Sequence, residues 1–102
     1  MSSLSEININ YEKAIAQARQ LEDVAKRLQN SADRTMDGIL NDVNKSWKSD
    51  STPQYIKKGQ KVKNDINTSA KNLRQIATAI RTIAKRVYEA ELEAWRIANE
   101  RA

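Results

Sequence analysis

The sequence predicts an all-helical protein, and three observations support that class. Residues that favour helices dominate the chain, which has no Phe and only one Pro. Apolar residues recur at alternating steps of four and three, as on one face of a helix. This pattern is interrupted near the middle of the chain, around Trp47 and Pro53. We therefore expect two helices joined by a bend.

The first helix is predicted over about 5–44. Ser3 and Glu6 have the spacing of a capping box, in which two side chains satisfy backbone N–H groups of the first turn. Gly38 marks a point of fraying or kinking, because glycine costs about 1 kcal/mol in a helix interior. The apolar stripe of this helix comprises Ile7, Tyr11, Ala14, Ala18, Leu21, Ala25, Leu28, Ala32, Thr35 and Ile39.

The turn is predicted over about 45–52 and the second helix over about 53–98. Thr52 can cap this helix, and Pro53 suits the first helical position, where no N–H is needed. We expect the isoleucine-rich middle of this helix to be the most firmly packed part. Its stripe comprises Gly59, Val62, Ile66, Ser69, Leu73, Ile76, Ile80, Ile83, Val87, Ala90, Ala94 and Ile97.

The two stripes predict one domain over 1–102, an antiparallel two-helix hairpin. A hairpin of this size leaves apolar area open on one side, and a second hairpin would cover it in a four-helix bundle. We therefore expect a dimer with itself or with a related helical hairpin. The predicted dimer or partner seam comprises Leu21, Leu28, Ile66, Leu73, Ile76, Ile80, Ile83 and Val87.

Basic charge is concentrated in the second helix. Between Gln54 and Val87 there are nine basic residues and one acid, Asp65, so 9 − 1 = +8. Within that span, Lys57, Lys58, Lys61 and Lys63 could bind phosphates or acidic lipids, although a solvated helix face is the simpler interpretation. Tyr55 is the one aromatic close to these lysines, and no nucleic-acid-binding motif occurs. The alternative function is a cytoplasmic basic helical protein that binds nucleic acid or acidic surfaces.

The absence of His and Cys narrows the chemistry. Disulfides and the usual zinc, iron and copper ligand sets are excluded, and few groups remain for nucleophilic or acid–base catalysis. We expect no enzyme activity and no cofactor. No apolar run approaches the roughly 20 residues that span a bilayer. The first residues have neither the basic nor the apolar region of a cleavable signal peptide.

A chain of this length with two helices, a Trp at the bend, no Cys and no signal peptide resembles the WXG family, the small ESAT-like proteins of bacterial type VII secretion. The resemblance covers the whole chain. The family's Trp-X-Gly turn corresponds to Trp47-Lys48-Ser49, with Ser49 in place of Gly. The family's C-terminal signal, Tyr-X-X-X-Asp/Glu, corresponds to the region of Tyr88, where Glu91 stands at the third following position. Read from Val87, Glu91 is at the fourth.

The resemblance implies a secreted substrate, or a targeting partner of a larger effector such as a toxin with an N-terminal helical domain. Such a protein is made in the bacterial cytoplasm and exported without a signal peptide. Trp47 would form a recognition cleft with a partner helix, or simply plug the end of the bundle. Tyr88 and Glu91 would be read by the secretion ATPase, or simply belong to an amphipathic helix end. We expect the side chains of Tyr88 and Glu91 to face solvent.

Overall fold

The computed structural model describes residues 3–101, and this part of the chain is all-helical, as predicted. The first arm consists of α1 (Leu4–Asn30), a π-helical segment (Ser31–Met36) and α2 (Asp37–Ser46). The second arm is one helix, α3 (Thr52–Glu100). No strand occurs within residues 3–101. The first arm corresponds to the helix predicted over 5–44, and α3 to the helix predicted over 53–98.

The chain divides into two compact units, each built from both arms. The terminal unit comprises Met1–Glu22 and Gln75–Ala102, and the bend unit comprises Asp23–Arg74. Because α1 and α3 each contribute to both units, each unit contains a segment of the first arm packed on a segment of the second.

The arms run antiparallel within each unit, as polar contacts between them show. In the terminal unit, Tyr88 Oη donates to Asn8 Oδ1 at 2.8 Å, and Arg81 Nη2 donates to Glu22 Oε1 at 2.6 Å. Residue numbers thus rise along the first arm as they fall along the second. The bend unit follows the same rule, with contacts that join Gln29 to Arg74, Asp33 to Asn67 and Asp37 to Lys63.

Alanines lie deepest between the arms, and Ile7, at 2% exposure, is the one isoleucine among the buried residues of 3–101. On the first arm Ala18, Ala25 and Ala32 are each 0% exposed, and on the second Ala70 and Ala77 are 1% and 0% exposed. Small side chains let two helices approach closely, because the residues at the contact set the distance between the axes. The isoleucine-rich middle of the second helix thus contains the two buried alanines of α3, while Ile76 and Ile83 within it are exposed.

The π-helical segment changes which residues of the first arm face the second. The buried Ala25 and Ala32 are seven residues apart, and the next position at that spacing, Ile39, is exposed. A π-helical turn holds one residue more than the α-helical repeat, which moves the contact position on by one. Leu40 accordingly lies against Gly59 of α3. The predicted placement of Ile39 on the packed stripe is wrong for this reason.

The bend is closed by its own polar residues. Trp47 leaves the helical conformation, with φ −90° and ψ 120°, and its N–H makes the last bond of α2, to the carbonyl of Val43 at 2.9 Å. The buried Thr52 is the centre of the turn: its Oγ1 accepts from the Ser49 N–H at 3.3 Å and donates to the Trp47 carbonyl at 3.4 Å. Pro53 then lies in the first turn of α3.

Ser49 fits this bend without the conformation that favours glycine. Within residues 3–101, no residue has a positive φ. The Ser49 hydroxyl also lies 3.1 Å from the Ser51 hydroxyl and 3.2 Å from Thr52 Oγ1, so this side chain adds hydrogen bonds that glycine could not make.

Candidate interaction surfaces

The terminal unit carries an apolar groove between its two arms. The groove has a volume of about 290 Å³. Ile7, Tyr11 and Ala14 line it from α1, and Ile80, Ile83 and Val87 line it from α3. Of these, Ile83 is 59% exposed, and Ile76, one heptad before it on α3, is 50% exposed. Large aliphatic side chains thus remain in contact with water beside a tightly packed alanine seam.

The opposite edge of the seam in the terminal unit is polar. Arg81 and Ile83 are two residues apart on α3, which separates them by about 200° around the helix. While Ile83 faces the groove, the Arg81 guanidinium donates to the Glu22 carboxylate of α1, and this hydrogen bond raises the pKa of Arg81. The edge with Arg81 is therefore closed by hydrogen bonds within the chain, whereas the edge with Ile83 exposes apolar surface to water.

Tyr88 is held within the terminal unit. Its ring stacks on that of Tyr11, with centroids 4.6 Å apart and an interplanar angle of 27°, and its hydroxyl donates to Asn8. Tyr88 and Glu91 are both half-buried, and both line the apolar groove. The expectation that these two side chains face solvent is wrong, because antiparallel pairing brings Asn8 and Tyr11 against this turn of α3.

The predicted seam residues fall into two groups. Ile76, Ile83 and Val87 are exposed, whereas the other five are half-buried between the arms. These five are Leu21, Leu28, Ile66, Leu73 and Ile80.

The predicted stripe of the first helix contains its buried alanines, Ala18, Ala25 and Ala32, whereas the predicted stripe of the second helix lacks Ala70 and Ala77. The signal for the second arm is the recurrence of Ala70, Ala77 and Ala84 at seven-residue spacing, the same spacing as Ala18, Ala25 and Ala32 on the first arm.

The bend unit presents an aromatic pair at the turn. Trp47 is 47% exposed and Tyr55 is 55% exposed, and their rings meet edge to face with centroids 5.1 Å apart. Trp47 therefore does not plug the end of the packed helices within this unit. Its ring lines a wide, open depression together with Lys48, Pro53 and Lys57.

The bend unit also holds the chain's excess positive charge. It contains 11 basic and 6 acidic residues, so 11 − 6 = +5, which equals the net charge of the whole chain. Some lysines are paired: Lys63 Nζ lies 2.9 Å from Asp37 Oδ1, and Lys61 Nζ lies 3.0 Å from Asp65 Oδ2. Lys45, Lys48, Lys57 and Lys58 are exposed, and none of them forms an ion pair with a carboxylate within residues 3–101.

These surfaces define an all-helical protein with an exposed apolar groove in one unit and an exposed aromatic pair with the excess positive charge in the other. The part of the chain that the structure describes contains no group of three or more His, Cys, Asp or Glu side chains that could hold a metal ion. No helix in residues 3–101 has the length and apolar character needed to cross a membrane. Comparisons with protein-family models, with curated proteins and with solved structures found no match.

Proposed function

We propose that this chain is a small helical protein of type VII, ESAT-like secretion, acting as a secreted substrate or as a targeting partner of a larger secreted effector. It pairs with a second helical hairpin, another copy or a related chain, and the two hairpins form a four-helix bundle. The observation that carries the proposal is the exposed aliphatic edge of the apolar groove.

The energetic argument concerns Ile83 and Val87, which line the groove, and Ile76, one heptad before Ile83 on α3; each is about half exposed. Complete burial of one such side chain contributes about 1.5–3 kcal/mol, so covering the exposed halves of all three contributes on the order of 3 kcal/mol per hairpin. The groove gives a partner helix a shaped contact, since it lies between two antiparallel segments and is lined mainly by aliphatic groups. Four-helix bundles bury residues of this kind between facing helices.

The link to secretion is supported by the bend and by the last turns of α3. Trp47 and Ser49 lie in the turn between the two arms, where the WXG family has its Trp-X-Gly motif. Tyr88 and Glu91 line the groove that we assign to the partner, so pairing and signal recognition would share a surface. The secretion ATPase would then read Glu91 next to a bound partner helix. A toxin's N-terminal helical domain is one such partner.

A matched pair of substitutions tests the pairing. Ile83→Asp places a charge at the groove, where burial without a partner costs several kcal/mol, so the dissociation constant should rise more than about a hundred-fold. Ile9→Asp is the control, because Ile9 is similarly exposed in the same unit but does not line the groove. Sedimentation velocity of the chain alone, and mass spectrometry of the helical hairpins that co-purify with it from the producing strain, measure the association.

Two results would contradict the pairing. One is a chain that stays monomeric alone and co-purifies with no related hairpin. The other is an equal loss of association in the Ile83→Asp and Ile9→Asp variants, since that would place the interface elsewhere.

Export is tested with substitutions that preserve the fold. Tyr88→Phe keeps the ring stack on Tyr11, and Glu91→Gln keeps the shape of that side chain, so the double variant should remain helical. In a strain with a working type VII system, its secreted fraction should fall at least about ten-fold because the hydroxyl and the carboxylate are both lost. Glu89→Gln, at a neighbouring exposed acid of α3, is the control. Unchanged secretion of the folded double variant would reject the signal assignment.

A further inference from the structure

The bend combines exposed aromatic rings with exposed lysines in one short segment. Residues 44–61 hold five lysines and one acid, so 5 − 1 = +4. Trp47 and Tyr55 are both about half exposed and touch each other edge to face. Both rings therefore remain in contact with water. We call this segment, 44–61, the basic bend.

We propose that the basic bend docks on an anionic lipid surface. Trp and Tyr side chains are enriched at the level of lipid headgroups, because the apolar part of the ring contacts the acyl chains while its N–H or O–H group stays hydrated. Lysine side chains lay their apolar stems along such a surface while the ammonium groups reach the headgroup phosphates. Docking is peripheral, and it is independent of the pairing proposed above because the apolar groove lies in the terminal unit.

Most lysines of the basic bend are exposed and form no ion pair within residues 3–101. Lys48 and Lys57 line the same open depression at the turn as Trp47, and Lys58 follows Lys57 on α3. Lys61 is the member of the set that is bound to a carboxylate, that of Asp65. Binding therefore does not require most of these lysines to leave an existing ion pair, and each contributes its full attraction to an acidic surface.

The composition of the basic bend favours lipid over nucleic acid. All its cations are lysines, and no arginine lies between Arg34 and Arg74. Lysine acts as a compact point charge, whereas the planar guanidinium group of arginine forms bidentate hydrogen bonds with phosphates and bases. The edge-to-face contact between Trp47 and Tyr55 also differs from the set of parallel, accessible rings on which successive bases stack.

Fluorescence with vesicles of defined composition tests the inference. The Trp95→Phe variant leaves Trp47 as the single tryptophan. With vesicles of phosphatidylcholine that contain about one-third phosphatidylglycerol, the Trp47 emission should shift to shorter wavelength, and sedimentation should show binding that weakens with salt. With pure phosphatidylcholine vesicles, neither change should occur.

Charge substitutions locate the contact. Lys57→Gln combined with Lys58→Gln should weaken vesicle binding about thirty-fold, since each lysine near an anionic surface contributes about 1 kcal/mol. The control is Lys13→Gln combined with Lys85→Gln, which removes the same charge from exposed positions of the terminal unit and should change binding less than two-fold.

Each of four results would overturn the proposal. These are equal binding to neutral vesicles, an unshifted Trp47 emission in the bound state, an equal loss in the control variant, and binding to duplex or single-stranded DNA at physiological salt without binding to anionic vesicles. Loss of pairing in the Ile83→Asp variant would leave the vesicle result unchanged, so the two proposals fail separately.

Discussion

Replacing each of the two glycines of the chain by alanine should change the stability of the fold differently. The difference tests whether the π-helical segment places Leu40 against Gly59. An alanine methyl at Gly38 would meet no atom within 4 Å beyond its chain neighbours and the backbone of its own helix. At Gly59 it would overlap the tip of the Leu40 side chain and lie 3.3 Å from Leu40 Cγ. Alanine is better than glycine in a helix interior by about 1 kcal/mol, so Gly38→Ala should stabilise the fold by about that amount.

For Gly59→Ala the same gain is opposed by overpacking, which typically costs about 1–3 kcal/mol. Because the tip of Leu40 can rotate away, we expect the substitution to be neutral or to destabilise by about 1 kcal/mol. Urea unfolding followed by circular dichroism, at one fixed protein concentration, gives both free energies. Adding Leu40→Ala should restore most of the alanine gain at position 59 in a double-mutant cycle. Equal stabilisation by Gly38→Ala and Gly59→Ala would refute the contact between Leu40 and Gly59.

Two further predictions concern the terminal unit. Tyr88→Ala should destabilise the fold by about 2–4 kcal/mol, because the ring stack on Tyr11 and a half-buried aromatic side chain are lost. Tyr88→Phe keeps the ring and should cost about 1 kcal/mol or less. Thermal unfolding of the two variants measures the difference. Near the end of α3, a hydrogen bond from Arg96 lowers the pKa of Glu93 from its usual value of 4.5. A lowered pKa in the folded state contributes stability at higher pH that is lost as the pH falls through that pKa. Because Glu93 and Arg96 are both more than half exposed, solvent screening keeps this contribution small, and the direct check is an NMR titration of Glu93, in which Arg96→Gln should raise its pKa toward 4.5.

The ends of the arms could be predicted from the sequence because their signals are local. Ser3 Oγ accepts the N–H of Glu6 at 3.1 Å, as the capping-box spacing predicts. The second helix starts at Thr52 and Pro53, as predicted, but the Thr52 hydroxyl bonds to the Ser49 N–H and the Trp47 carbonyl of the turn instead of capping α3. Such signals depend on residues within one turn and do not require knowledge of the other arm.

The residues that face each other could not be predicted from one helix at a time. On α3, Ile76 and Ala77 are neighbours, and hydrophobicity favours the isoleucine as the packed residue. The close approach permitted by alanines on both arms favours Ala77 instead. Ile39 and Leu40 pose the same choice, which depends on a π-helical turn that the apolar pattern does not reveal. Tyr88 could be placed against Tyr11 only after the antiparallel register was known.

The central claim is that a second helical hairpin covers the apolar groove, and crosslinking inside the producing cell tests it most directly. A photoreactive amino acid in place of Ile83 should give one discrete crosslinked product, which mass spectrometry identifies as another copy of this chain or a related helical hairpin. The same amino acid in place of Ile9 should give little of that product, since Ile9 does not line the groove. Absence of a discrete product at position 83, or equal yields at both positions, would contradict the account.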